Sequence, residues 1–215
     1  MTESFFQFSK KEITDITLAL VTLAFSFELI LFRNEIFVEG ALTNISLMLN
    51  FFVQSLIVVG FAFVLHELGH KYLAQKKGLW AEFRAWPVGL FLAVVMAIVS
   101  RGGFVFAAPG AVMISQSKKT RFGYSLTLLE DEDVGKIGLI GPVINIILGL
   151  LFIGLSLLIP LKIFDIGAQV NAWLAIFNLV PLSILDGAKV WKWSKGIWAG
   201  AFLLSIFIFI LAILL

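Results

Sequence analysis

The chain has 215 residues, of which 60% are hydrophobic and only 14% are charged. A soluble domain of this length carries roughly 25% charged residues, so the composition excludes a water-soluble protein and predicts one embedded in lipid. The formal net charge of +2 gives no indication of a nucleic-acid partner. The absence of cysteine excludes disulfides and thiolate metal ligands.

Five apolar stretches have the ~20 residues that a membrane-spanning helix needs. They are residues 13–32, 45–70, 135–159, 168–185 and 196–215. A sixth stretch, 86–100, is short for a span, and a second apolar run, 104–114, follows it. We expect these two runs to form a re-entrant hairpin, which requires shielding of its non-helical backbone. The predicted fold is an all-α polytopic membrane protein with about five to six membrane segments.

The distribution of basic residues predicts the orientation of the chain in the cell membrane. With a cytoplasmic N-terminus and a re-entrant hairpin, 13 of the 16 Lys and Arg residues lie on the cytoplasmic side. This bias is lost if residues 86–100 cross the membrane fully. We therefore expect a single membrane-embedded domain over residues 1–215, with its core at about 45–190 and its re-entrant region at about 86–114.

The second apolar stretch ends in the sequence HELGH at residues 66–70. Residues four apart lie on one face of a helix, so His66 and His70 can bind one Zn²⁺. Glu67 is then placed to act as a general base. The alternative is a polar cluster without metal, in which Lys71 pairs with Glu67. Ionisable groups are rare within membrane spans and are usually functional there, which favours the metal site.

A catalytic zinc has three protein ligands and an open position, and this chain offers no further histidine and no cysteine. Two acids besides Glu67 lie in strongly apolar surroundings, Glu28 and Asp186. Glu28 lies near the outer end of the first segment, whereas Asp186 lies at the depth of the histidine pair. Depth therefore favours Asp186 as third ligand. The alternative for Asp186 is a helix-terminal carboxylate that pairs with Lys189.

Three motifs follow one another in successive membrane segments: HELGH (66–70), GPVIN (141–145) and NLVPLSILDG (178–187). This ordered set resembles the site-2 protease family of intramembrane zinc metalloproteases, in a short form without room for a PDZ or CBS domain. The similarity covers roughly residues 55–189. The resemblance implies that one zinc per chain is held by His66, His70 and Asp186.

The resemblance also implies roles for three polar residues near the metal. Glu67 is the implied catalytic base, and Asn178 is expected to help shape a broken helix that presents Asp186. Asn145 is expected to project toward the active site, where its amide could stabilise an oxyanion. The alternative for Asn145 is a simple hydrogen bond to a neighbouring helix.

The resemblance implies peptide-bond hydrolysis in or near the transmembrane segments of single-span substrates, as in regulated intramembrane proteolysis. One alternative is a non-proteolytic membrane metal-binding protein or transporter. Another is a membrane metalloprotease that acts on lipid-modified C-termini, with Glu28 as its third ligand.

The stretch from 103 to 115 has the composition of a strand rather than of a helix. It contains Phe104, Val105 and Val112, which favour strands, and it is punctuated by Pro109. A protease needs its substrate extended, and an exposed strand edge can pair with an extended chain. We therefore expect residues 103–112 to bind substrate, with Gly103, Phe104, Val105 and Val112 as contacts. The alternative is that this stretch only plugs the helix bundle.

Overall fold

The computed structural model describes residues 7–39, 41–115, 117–120, 123–126 and 129–215, with only the backbone described at 117–120 and 123–126. The helices are α1 (Lys10–Leu31), α2 (Arg33–Phe37), α3 (Ile45–Val59), α4 (Leu65–Lys76), α5 (Pro87–Val99), α6 (Asp131–Leu158), α7 (Lys162–Leu179), α8 (Asp186–Trp193) and α9 (Lys195–Leu214). The strands are β1 (Trp80–Ala85), β2 (Gly110–Ser115), β3 (Ser117–Thr120) and β4 (Gly123–Leu126).

Within these residues, four helical segments are long and apolar enough to cross a membrane: Lys10–Leu31, Ile45–Lys76, Asp131–Leu158 and Lys195–Leu214. In the second segment, the π-helical turn Gly60–Val64 joins α3 to α4 in one continuous helix. Many large apolar side chains of these segments face outward, among them Leu203 and Phe207 of α9. Such an apolar outer surface needs lipid around it, which confirms the predicted all-α membrane fold.

The segment predicted as a re-entrant hairpin connects two paired strands, β1 and β2. β1 directly precedes α5, and β2 pairs with it antiparallel from Trp80↔Ser115 to Ala85↔Gly110. The Trp86 N–H also donates to the Pro109 carbonyl at 2.8 Å. With 13 residues, α5 is about 20 Å long, which is shorter than the ~30 Å hydrocarbon core. The chain therefore leaves the β1–β2 sheet with α5 and returns to it at Pro109, and the placement of α5 in the membrane stays a prediction.

The membrane span predicted at 168–185 is a helix with different bounds, and it is not among the four described segments that are long and apolar enough to cross a membrane. The helix is α7, which begins at Lys162 and ends at Leu179. It ends there because Val180 precedes Pro181, and proline disfavours the helical conformation in the residue before it. Val180 accordingly has φ −59° and ψ 131°. The chain crosses six irregular residues and becomes helical again only at Asp186, the first residue of α8.

Helix α6 lies at the centre of the bundle and packs against α4, α7, α8 and α9. Small residues let helices approach closely in membranes, and α6 carries glycines three residues apart at Gly135, Gly138 and Gly141. A Cβ at Gly135 would collide with Trp193, and a Cβ at Gly138 would press on Lys189. These glycines bring the α8 helix, and with it Asp186, against α6.

A buried ion pair fixes the start of α1 against α4 and the β1–β2 sheet. The Lys71 Nζ lies 2.5 Å from Glu12 Oε2, and both side chains are almost fully buried. Lys71 also donates to the Gln7 carbonyl at 2.7 Å, and Glu12 Oε1 accepts from the Phe83 N–H at 3.0 Å. Lys71 therefore pairs with Glu12. The metal-free polar cluster considered from the sequence required Lys71 to pair with Glu67, and this pairing is not formed.

Candidate active site

The HELGH sequence forms the first turn and a half of α4, directly after the π-helical turn. The two imidazoles lie on one face of the helix, with ring centroids 4.7 Å apart, and both side chains are buried. π-Helical turns occur frequently at functional sites. Here the turn places the carbonyl of Ala62 where the amide of Asn145 can donate to it at 2.9 Å.

The broken α7–α8 connection brings Asp186 to the histidine pair. Asp186 Oδ2 lies 3.3 Å from His66 Nε2 and 2.9 Å from His70 Nε2. These three residues are the group of potential metal ligands found in the described part of the chain, with ligand atoms within 4.8 Å of one another. Glu28 is buried in α1 and does not belong to this group. The structure therefore brings together the three residues selected from the sequence.

The outer nitrogen of each imidazole faces an oxygen that can only accept a hydrogen bond. His70 Nδ1 lies 2.6 Å from the Ile137 carbonyl, and His66 Nδ1 lies 2.5 Å from Asn145 Oδ1. The Asn145 amide orientation is fixed because its Nδ2 donates to two other oxygens, those of Ala62 and Asn171. Both Nδ1 atoms therefore carry the proton, which leaves both Nε2 lone pairs directed toward Asp186. Partners of this kind orient metal-bound histidines.

The donor set fits zinc. Zinc binds imidazole nitrogen and carboxylate oxygen at about 2.0–2.2 Å in a tetrahedral arrangement, so two of its ligand atoms stand roughly 3.3 Å apart. The measured Nε2 to Oδ2 separations of 3.3 and 2.9 Å are close to this value. His70 Nε2 is buried and has no hydrogen-bond partner. A buried polar atom without a partner is costly, and a bound cation would remove that cost.

Glu67 is buried beside the three candidate ligands without being one of them. Its Oε2 has no hydrogen-bond partner. The side chain lines two neighbouring cavities, one with His70, Asp186 and the start of β2, the other with His66 and Leu174. The carboxylate is therefore free to take a proton from a group bound in either cavity.

The sequence left two alternatives for Asp186, a third metal ligand or a partner of Lys189. Its position allows both, because its two oxygens have different partners. Oδ2 faces the histidines, whereas Oδ1 accepts from Lys189 Nζ at 2.8 Å. The negative charge of Asp186 raises the pKa of the Lys189 amine above its usual value. Lys189 therefore stays charged at neutral pH.

The two asparagines implied by the family resemblance have different surroundings. Asn145 is fully buried, and its two amide hydrogens are used by Ala62 and Asn171, so in this arrangement it orients His66 and has no donor left for an oxyanion. Asn178 lines both cavities, but its amide donates to Leu174 within α7 at 3.0 Å and not to a group freed at the helix break. No sequence signal points to Asn171, which lies in an apolar stretch without a motif.

Only part of the predicted substrate-binding stretch lies at the site. Val112 lines the cavity beside Glu67, as do other residues of β2. Val105 is fully buried in the main hydrophobic core, and Phe104 packs against Trp173 and Phe177. Gly103 lies in the turn after α5, where its N–H donates to Ser100. In this arrangement Gly103, Phe104 and Val105 serve the turn and the core, and substrate contact by these three residues stays a prediction.

Fold and site together define a membrane protein with a buried metal site of two histidines and one carboxylate, a ligand set used by zinc hydrolases. A comparison with curated proteins finds a relative from Methanocaldococcus jannaschii named "Putative zinc metalloprotease". It is 38% identical over 203 residues, which are 91% of this chain and 91% of the relative. No family model and no solved structure matches the chain. The chain belongs to the same zinc metalloprotease family as this relative, and zinc is its cofactor.

We expect Gly141→Ala to disrupt zinc binding, because a Cβ at this position would collide with Nε2 of both His66 and His70. Zinc affinity should fall by about 10- to 100-fold, the size of effect seen when a metal ligand loses its orientation. Competition with a chelator would measure it on purified protein. Gly154→Ala is the matched control, since it lies on the same helix with no atom near its added Cβ. Equal affinity in the two variants would refute the role of Gly141.

Proposed function

We propose that this protein is an intramembrane zinc metalloprotease of the site-2 type, which hydrolyses peptide bonds in or near transmembrane segments of membrane proteins. The carrying observation is that the buried His66, His70 and Asp186 group, with Glu67 beside it, stands at the end of a helix long and apolar enough to cross a membrane. The order of the three sequence motifs supports the site-2 subtype. Single-span proteins in the bilayer are the proposed substrates.

The chain's own residues can perform the proton transfers that peptide hydrolysis needs. Zinc, when bound, lowers the pKa of water and polarises a carbonyl. Glu67 takes a proton from the attacking water while the water oxygen bonds to the peptide carbon. When the carbon–nitrogen bond breaks, Glu67 returns that proton to the departing amine. Asn145 and the Ile137 carbonyl keep the imidazoles oriented throughout.

Among the described residues β2 pairs with β1 as a two-stranded sheet, and the edge of β2 opposite β1 at Val112 is the proposed binding surface for an unwound substrate. The Phe83 N–H donates to Glu12, so it points away from β2. Phe83 and its partner Val112 are therefore a pair without mutual hydrogen bonds. The backbone N–H and C=O of Val112 then also point away from β1, toward the open side of β2. Glu12 covers the outer edge of β1, which leaves β2 as the edge for strand addition.

The pairing of a substrate with β2 would solve a problem specific to lipid. A helix must unwind before a protease can reach its peptide carbonyls, and each unpaired backbone group costs several kcal/mol in the absence of water. Val112 lies in the wall of the cavity that also contains Glu67 and Asp186. A substrate strand on β2 would therefore have its backbone paired beside the base and the metal.

The proposed orientation places the active site toward the cytoplasm, with the protein multi-pass in the cell membrane. Ion pairs of Lys77 with Asp133 and of Lys192 with Asp131 join the ends of α4, α6 and α8 at one side of the bundle. Lys162, the first residue of α7, pairs with Glu35 of α2, the short helix that follows α1. Since the chain has no cysteine, single cysteines at 77 and 162 should label from opposite sides, and labelling from one side would reject this orientation.

Glu67→Gln tests the proposed chemistry directly. The variant should keep its zinc, because Glu67 is not a ligand, but it should lose proteolysis by more than about 100-fold, since it cannot accept a proton. Each form would be co-expressed with a panel of single-span membrane proteins, and loss of the full-length substrate would be measured. Cleavage by the variant at the wild-type rate would reject Glu67 as the base. A wild-type protein that binds zinc but cleaves none of the panel would favour a non-proteolytic metal-binding protein.

Val112→Pro tests the strand edge. Proline removes the N–H that faces the open side of β2 but no hydrogen bond between β1 and β2. Cleavage should fall by roughly tenfold, the effect of losing a hydrogen bond worth about 1.4 kcal/mol, while zinc content stays unchanged. Val112→Ala, which keeps the N–H, is the matched control and should cleave like wild type. Equal cleavage by the proline and alanine variants would show that β2 does not pair with the substrate.

A further inference from the structure

Asp186 divides its two carboxylate oxygens between the metal site and a lysine. Oδ2 faces the Nε2 atoms of both histidines, and Oδ1 accepts from the Lys189 ammonium at 2.8 Å. Lys189 lies three residues after Asp186 on α8, so the two side chains share one face of that helix. Without the lysine, Oδ1 would be an unpaired anionic oxygen at the edge of the metal group.

The packing of Lys189 directs its ammonium toward Asp186. Its stem lies against α6 at Gly138, where an added Cβ would stand 3.0 Å from Lys189 Cβ and 3.1 Å from Cδ. Its side chain lines the cavity that contains Glu67 and is 37% exposed, whereas that of Asp186 is 10% exposed. The glycine thus gives the lysine stem room along α6, and the ammonium comes to lie on the solvent side of the carboxylate.

A carboxylate can bind a metal through one oxygen or through both, and the choice matters at a catalytic centre. A catalytic zinc has three protein ligands and one open position for water or substrate. If Asp186 used both oxygens, the second oxygen would compete for that position. Partners outside the ligand shell decide between these modes by hydrogen-bonding the ligand's remaining atoms.

We propose that Lys189 is a positioning residue that holds Asp186 Oδ1 and restricts Asp186 to a single metal bond through Oδ2. It thereby keeps the fourth zinc position open for the reacting water. The inference rests on the proposed function of the site, because it assumes that Asp186 is a zinc ligand. In this role Lys189 contacts no substrate and transfers no proton.

Cobalt-substituted protein gives a readout that does not depend on proteolysis. Tetrahedral Co²⁺ absorbs visible light much more strongly than Co²⁺ with additional ligands, so the spectrum reports the binding mode of Asp186. Lys189→Met keeps the stem that packs on Gly138 and loses the ammonium. We expect its visible absorption to fall by about twofold as Oδ1 joins the metal, and its turnover to fall by roughly tenfold with little change in KM. Lys189→Arg should restore both.

Lys192→Met is the matched control. Lys192 lies one turn further along α8, is 71% exposed and pairs with Asp131, away from the metal group. Its cobalt spectrum and turnover should equal those of wild type. A Lys189→Met spectrum identical to that of wild type would overturn the proposal, because a lysine that only packs against α6 would leave the metal geometry unchanged.

The absence of cysteine allows a second test that uses one folded preparation. Lys189→Cys can be alkylated with 2-bromoethylamine, which rebuilds an ammonium at nearly the length of lysine, or with a neutral reagent of similar size. The ammonium adduct should regain the wild-type cobalt spectrum, and the neutral adduct should not. Equal spectra for the two adducts would reject the positioning role. If the spectra respond as expected but the wild-type zinc protein cleaves no substrate, the proposed protease function fails while the role of Lys189 at the metal stands.

Discussion

A polar atom buried away from water must find a partner, and the arrangement of this site follows from that requirement. The protein places two imidazoles and a carboxylate among apolar helices, where each unsatisfied group costs free energy. His66 Nδ1 is satisfied by Asn145, His70 Nδ1 by the Ile137 carbonyl and Asp186 Oδ1 by Lys189. What remains is one unprotonated nitrogen on each ring and one carboxylate oxygen, all facing one another. The three ligand residues select a cation, because their other polar side-chain atoms already have hydrogen-bond partners.

Two local departures from regular helix and one glycine make this convergence possible. The π-helical turn before HELGH places a carbonyl where Asn145 can hold it. Helix α7 ends before Pro181, and a new helix begins at Asp186, which places the Asp186 carboxylate beside the histidine pair. Gly141 lets α6 approach the imidazoles within a distance that no side chain would allow. Each of these features lowers helix stability, and all three help to bring His66, His70 and Asp186 together.

Much of the fold and the site could be predicted from the sequence, for physical reasons that also explain the failures. Long apolar stretches and the ordered motifs HELGH, GPVIN and NLVPLSILDG are strong signals, and the topology predicted from the basic residues placed Asp186 at the depth of the histidine pair. Asn171 could not be found, because one asparagine among apolar residues has no motif and its role depends on tertiary contact with Asn145. β1 was missed because only pairing with β2 makes it a strand. The burial of Val105 in the core could not be predicted, because strand composition is the same for a substrate edge and for a buried core.

The metal content of purified protein tests most directly whether His66, His70 and Asp186 form one zinc site. Elemental analysis should find about one zinc per chain in wild type and in Glu28→Ala, whose acid is buried in α1 apart from the metal group. Asp186→Ala should lose most of its zinc under the same dialysis while keeping its helical content. Full zinc retention by Asp186→Ala, or loss of zinc by Glu28→Ala instead, would contradict the account.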